Sequence, residues 1–387
     1  MIPLAVPNLT GNEKSYLDNC IDTTFVSSVG EYVTRMEKMC KEACGTDYAV
    51  ATSSGTTALH AMLMAAGVSP DDLVILPTFT FIASANAIAH CGATPWLFDI
   101  NDDWVLDAQA VETALQMECT VTSEGKVTHT ATGRRVAAIM PVYTLGNIPD
   151  MNRLRKIADQ YRLPLIADAA CAIGATFEGK LLGTLADASA LSFNGNKTIT
   201  CGGGGMVVGN DEKLMNHIRH ITTTARVGTE YEFDMVGYNY RMTNVQAAIG
   251  CAQMERLDSF IERKRDVYRF YLQKLGDIEN ISFFPVTEGG TCWYSGIVLK
   301  HGGLDKVREI CAALKEQGIE SKTFWKPVHL QKPYREAPCQ DVTCAEGIWD
   351  CIVTLPCSTG ITDDELRTVV DCVKDILIHG SSNCITH

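Results

Sequence analysis

Leu163-Pro164-Leu165-Ile166-Ala167-Asp168-Ala169-Ala170-Cys171-Ala172-Ile173-Gly174-Ala175 sets one carboxylate in an otherwise apolar run. Leu163 to Ala167 reads as a strand, and Asp168 follows at its carboxyl end, where open α/β sheets gather their ligands. A buried aspartate is costly unless a cation or a donor meets it. On this segment alone Asp168 also reads as a cap for a following helix.

Outward from this run the chain alternates short apolar runs with helical stretches. Strands are expected over 48–51, 73–76, 96–99, 136–140, 188–193 and 206–208. Helices are expected after Ser53-Ser54-Gly55-Thr56, with Ala58, Leu59, Met62, Leu63 and Ala66 on one face, over 81–90, and over 151–161. Such alternation is the sequence form of an α/β fold, a mostly parallel sheet flanked by helices. A long helical stretch over 244–275 leads away from this part, so a large unit over 1–250 and a smaller α+β unit over 251–387 are expected. The polar alternation over 120–128 reads as a surface hairpin without chemistry.

The whole-chain numbers agree with a folded protein of more than one core: 387 residues, 46% hydrophobic and 20% charged. Thirty-three basic against 46 acidic residues give a net charge of −13, which disfavours nucleic acid as a partner. The N-terminal residues Met1 to Asn8 lack a basic region followed by an apolar core, and no apolar run approaches the roughly 18 residues that cross a bilayer. A cytoplasmic protein with no membrane partner is expected. The 16 cysteines, spread from Cys20 to Cys384, form no CxxC pairs and have no clustered histidines, so reduced structural thiols and no metal site are expected.

Two further segments carry chemistry. Ser192-Phe193-Asn194-Gly195-Asn196-Lys197-Thr198 follows a buried-looking strand and precedes the glycines 202–205. A lysine on such a loop, if desolvated, becomes a nucleophile toward carbonyls; the plain alternative is a solvated loop lysine. A phosphate loop is excluded, because Asn196 and Leu191 stand where that motif needs glycine. Ser54-Gly55-Thr56 opens a helix after a strand, a place that can hold a phosphate, although most helix starts hold nothing. Neither GxGxxG, HExxH nor GxSxG is present at these segments. An aspartate at a strand end, a lysine 29 residues on, a serine five before that lysine and a phosphate-ready helix start together suit pyridoxal 5′-phosphate (PLP). Its aldehyde takes a lysine amine and its ring nitrogen takes a carboxylate.

With these motifs on view, the chain resembles the nucleotide-sugar aminotransferases of the DegT/DnrJ/EryC1/StrS family. The resemblance is carried by Ser54-Gly55-Thr56-Thr57-Ala58-Leu59, Pro77 to Ala85, Asp168-Ala169-Ala170, Ser192-Phe193 with Lys197, and Gly237-Tyr238-Asn239-Tyr240-Arg241-Met242. It implies PLP-dependent fold type I, like aspartate aminotransferase, and a homodimer with active sites shared between subunits. It implies Lys197 as Schiff-base lysine and proton shuttle, Asp168 as partner of the ring nitrogen, and Gly55, Thr56 and Ser192 as phosphate ligands. It further implies Phe81 stacked on the ring, Ala170 on its other face, Asn239 reaching the neighbouring subunit's cofactor, and Arg241 close by.

A finer resemblance, in 194–197 and in Phe324 to Gln331, is to enzymes that aminate C4 of UDP-linked 4-keto-6-deoxy-N-acetylhexosamine in bacillosamine or legionaminic acid synthesis; there His329 lines the sugar pocket. The expected reaction moves the amino group of L-glutamate to C4 of such a nucleotide sugar. Cys171 and Tyr143 depart from the residues many relatives carry. The rival readings are a PLP sugar dehydratase, which Lys197 opposes because that branch carries histidine there, and a non-catalytic nucleotide-sugar sensor.

Overall fold

In the computed structural model, which describes residues 1–379, seven strands build the main sheet. They are β1 (Tyr48–Thr52), β2 (Leu73–Pro77), β3 (Thr94–Phe98), β4 (Val136–Ile139), β5 (Ile166–Asp168), β6 (Ala188–Ser192) and β7 (Gly205–Gly209). Pairing runs β3-β2-β4 on one side and β5-β6-β7-β1 on the other. Parallel bridges Ile139 to Leu165 and Val142 to Asp168 join the two groups. Only β7 runs antiparallel to its neighbours in this sheet. The strands read as unbroken apolar runs because both faces are covered. Leu59, Met62, Ile88 and Ile218 pack on one face, and Met36, Val111, Leu154 and Cys251 on the other.

The C-terminal part forms a three-stranded antiparallel sheet, β8 (Ile281–Phe283), β9 (Ser295–Leu299) and β10 (Ile352–Leu355), covered by helices Gly303–Glu316 and Asp363–His379. The N-terminal residues belong to this part in space: Ile2 bridges Ile319, and Leu4 sits in the same core. That core also takes in Phe79, Trp104, Leu145 and Cys171 from the main-sheet part, so the two cores meet beside Asp168.

Three sequence expectations are corrected in detail. The helical stretch over 244–275 is two helices, Asn244–Met254 and Leu257–Leu275. Arg256, at φ −116° and ψ 9°, breaks the spiral, while Glu255 is held by Arg35, Tyr16 and Asn12. The strand before Asp168 includes the aspartate itself. No helix follows it; Ala169 to Ala175 continue as turns, with Ala172 N–H donating to Ala169 O. The surface hairpin forms as Cys119–Val121 against Val127–His129.

Among the described residues no disulfide is present, and Cys20, Cys40, Cys44, Cys201 and Cys251 fill the core. Cys384 lies outside the described residues. No helix among them is long and apolar enough to cross a membrane.

Candidate active site

The parallel strands β1, β5 and β6 each contribute to the site from the carboxyl end. After β1, Ser54 caps the helix Gly55–Ala65: its Oγ accepts from Thr57 N–H at 3.1 Å, and Thr57 Oγ1 accepts from Ser54 N–H at 3.0 Å. The cap fixes the point at which the positive end of the helix faces the cavity. Gly55 is needed there for space, since a Cβ would lie 2.7 Å from the Cβ of Ser192 at the end of β6. Gly55, Thr56 and Ser192 thereby share one edge of a cavity of about 330 Å³, which Phe81, Asp168, Ala170, Cys171, Asn194, Asn196 and Lys197 also line.

Asp168 is 5% exposed. Its Oδ2 accepts from Ser84 Oγ at 2.6 Å and its Oδ1 from Ala170 N–H at 3.0 Å. Ser84 is itself linked to Thr80 Oγ1 at 2.9 Å, so the carboxylate is oriented by the first turn of the helix Ile82–His90. Burial pushes the Asp168 carboxyl above its usual range, against the pull of Ser84, the Ala170 amide and the charge of Lys197. Such a group has its greatest use where a donor carrying positive charge approaches it.

Lys197 Nζ donates to Cys171 Sγ at 3.2 Å and lies 3.9 Å from the centre of the Trp293 ring. Its loop is pinned: Lys197 N–H donates to Asn194 O, and Cys201 N–H and Thr200 Oγ1 both reach Phe193 O. Burial raises the Cys171 thiol above its ordinary value, with Lys197 opposing the rise. Phe81 is 54% exposed, a ring held open at the cavity. Ala170 puts only a methyl group there.

These features fit PLP on their own terms. A buried carboxylate awaits a cationic donor, a lysine amine shares its cavity, and a helix start lies beside a serine hydroxyl at another edge. Of the sequence-derived site residues, Lys197, Asp168, Gly55, Thr56, Phe81, Ala170 and Ser192 come together in this one cavity.

Asn239, Arg241 and His329 do not line it. Arg241 Nε donates to the exposed Asn239 Oδ1 at 3.0 Å, and the segment is laid beside β1 by Ser53 N–H donating to Tyr240 O. His329 has both ring nitrogens engaged, Nδ1 with Thr78 Oγ1 at 2.7 Å and Nε2 with Glu346 at 3.1 Å. The structure therefore places it as a tie between Thr78 and the segment carrying Phe324 and Trp325, both of which do line the cavity. Sequence reasoning passed over Ser84 and Trp293. Ser84 lay inside a quoted motif, four residues after Thr80, and could have been found as the donor a buried aspartate demands; Trp293 looks like core.

The chain belongs to the DegT/DnrJ/EryC1/StrS aminotransferase family, whose pattern matches residues 7–374. GDP-perosamine synthase of Caulobacter vibrioides is 38% identical over 381 residues, covering 97% of this chain and 98% of that protein. The putative pyridoxal phosphate-dependent aminotransferase EpsN of Bacillus subtilis is 31% identical, covering 98% and 95%. Among solved structures, the putative sugar aminotransferase Spr1654 of Streptococcus pneumoniae in its PMP form superposes with a TM-score of 0.87 at 23% identity, covering 97% of this chain and 99% of that one. The protein is thus a PLP-dependent nucleotide-sugar aminotransferase of fold type I.

Proposed function

We propose that this enzyme transfers the amino group of L-glutamate to C4 of a nucleotide-linked 4-keto-6-deoxy sugar, with Lys197 and Asp168 as its catalytic pair. The observation that carries the reading is that both side chains, Asp168 from the end of β5 and Lys197 from the loop after β6, line one cavity with the capped helix start at Gly55. When bound, PLP supplies an electron sink for the carbanion formed at the reacting carbon. Asp168 keeps a proton on the ring nitrogen, Ser84 orients Asp168, and the Gly55–Thr56 helix start with Ser192 binds the phosphate. Phe81 and Ala170 flank the ring, one by area and the other by leaving room. Lys197 Nζ takes the proton from the amino donor and returns it on the other carbon, and in the second half it does the reverse on the ketosugar.

Homodimerisation belongs to the same proposal. Asn239 and Arg241 lie outside the cavity of their own chain, next to an exposed hairpin, Arg226–Val227 with Glu232–Phe233, and to Tyr231, Met235 and Val236. A second copy covering this flank would put the pair at the partner's cavity. Arg241 is the residue proposed at the substrate, and His329 acts on it indirectly by holding the Phe324–Trp325 segment. Division into units over 1–250 and 251–387, with the first few residues lying on the second, and a cytoplasmic location complete the proposal.

For the nucleotide, the name of the Caulobacter relative favours GDP, whereas the segment Phe324 to Gln331 resembles the UDP-sugar subgroup. The enzyme loaded with pyridoxamine phosphate is to be mixed with GDP-, UDP- and dTDP-linked 4-keto-6-deoxy sugars and followed by cofactor absorbance. Conversion with the GDP sugar at a rate at least about tenfold above the others is expected. Conversion with none of them, in protein that does react with L-glutamate, overturns the sugar assignment.

A further inference from the structure

The amine of Lys197 has an aromatic neighbour from the other half of the chain. Trp293 stands just before β9, is buried, and presents its ring 3.9 Å from Nζ. Its place is fixed at three points. The indole N–H donates to Asn196 O at 2.8 Å, the backbone N–H to Leu145 O at 3.0 Å, and the carbonyl accepts from Lys264 Nζ at 3.0 Å. Lys264 is itself buried, 3% exposed, and its ammonium also donates to Cys357 O at 2.7 Å. Two residues before Trp293, Thr291 Oγ1 donates to the carbonyl of Cys171, whose sulfur accepts the hydrogen bond from Lys197 Nζ. The segment 291–294 therefore holds both groups that touch the lysine amine.

An aromatic face attracts an ammonium through its quadrupole, offers far less to the neutral amine, and does so more strongly where water is excluded. We propose that Trp293 is a further catalytic-site residue: its indole face stabilises Lys197 in the ammonium form, and Lys264 is the residue that positions the indole. The proposal rests on Lys197 being the proton carrier. When the lysine takes the proton, the electron pair of the broken C–H bond stays with the substrate. The new N–H bond uses the nitrogen lone pair, so a unit of positive charge appears at Nζ under the ring. Stabilising that charge favours uptake over return, and Asn196, hydrogen-bonded to the indole and one residue before Lys197, keeps ring and amine in register.

The test reads the charge on the amine directly. Full-length enzyme loaded with pyridoxamine phosphate, which leaves Lys197 unbonded, is pulse-labelled with trinitrobenzenesulfonate. The Lys197 peptide is then quantified by mass spectrometry, and the same is done on the cofactor-free chain. At pH 8, Trp293→Leu is expected to label Lys197 about fivefold faster than the wild type, Trp293→Phe to remain near it, and Lys264→Met to fall between. At pH 11 the differences should vanish. Equal labelling of the wild type and Trp293→Leu at pH 8 overturns the proposal, as does an acceleration that persists at pH 11 and so reports only wider access. If the leucine variant does not fold, Lys264→Met, which keeps the indole, decides by the same criterion. Failure of the functional reading shows separately, as protein that gives no absorbance band with PLP whatever the labelling rates.

Discussion

Two regions of the molecule hold the residues that the family motifs single out, and they differ in kind. Around Asp168 and Lys197 the reacting groups are held within the chain: Ser84 meets the carboxylate, Cys171 and Trp293 meet the amine, and Ser54 caps the helix start. Around Asn239 and Arg241 the two side chains bond each other at the surface, beside Tyr231 at 86% and Val236 at 77% exposure. A lone chain completes the first region and leaves the second open. The contrast teaches that the carboxylate and the amine are pre-organised within one chain, whereas the flank bearing Asn239 and Arg241 is the surface that the proposed dimer would cover.

The sharpest way to break this contrast is at the amine. Lys197→Ala should lower turnover with L-glutamate by about a thousandfold or more, the size of a lost general acid–base with its positioning. Self-association and melting temperature should stay at wild-type values, because the side chain ends in a cavity and supports no core. Steady-state rates with parallel sedimentation check this. Retained turnover would show that the well-partnered region is scaffold rather than machinery.

The flank is tested by charge. Phe233→Asp with Val236→Asp puts two carboxylates at exposed apolar positions on and just after the hairpin, harmless to a monomer but costly if that surface is buried. Self-association should weaken by about a hundredfold, roughly 3 kcal/mol, with activity falling in step as protein is diluted. Sedimentation velocity across a concentration series measures it. Wild-type association with the hairpin so altered would detach Asn239 and Arg241 from any shared site.

How much of this was legible in the sequence follows the same division. Asp168, Lys197, Ser192 and Gly55 were readable because strand ends and helix starts fix local geometry within a few residues. The parallel sheet was readable for the same reason, from unbroken apolar runs. Trp293 was not, since it reaches Lys197 from 96 positions away in sequence through a chain reversal that no local pattern encodes. His329 misled because its segment lies at the cavity while its own ring turns back to Thr78 and Glu346. The break between Met254 and Leu257 was hidden because Glu255 and Arg256 suit a helix by propensity; tertiary partners, Arg35 for one and Asn8 and Thr10 for the other, override it.

The smallest expected effect lies at the joint between the two regions. His60, on the helix that begins at Gly55, is buried with Nδ1 3.1 Å from Tyr240 Oη, and so ties the cavity's helix to the segment bearing Asn239 and Arg241. The groups facing it are His90, whose ring lies 5.6 Å away, Tyr238 and Tyr240. Burial depresses the His60 imidazole below its usual value, and His90 adds to the depression. The folded state therefore binds fewer protons than the unfolded chain between that depressed value and the ordinary one near 6.5, so stability is whole above about pH 6.5 and is lost as pH falls below it. The loss from this one site cannot be steeper than about 1.4 kcal/mol per pH unit. His60→Gln keeps a side chain able to bond Tyr240 and removes the titration. It should melt near the wild type at pH 8 and hold its stability better from pH 6.5 down to 5, by calorimetry across that range. An unchanged acid limb would show that the joint is held by the ring stack of Tyr238 and Tyr240 alone, and that the two regions are coupled without regard to charge.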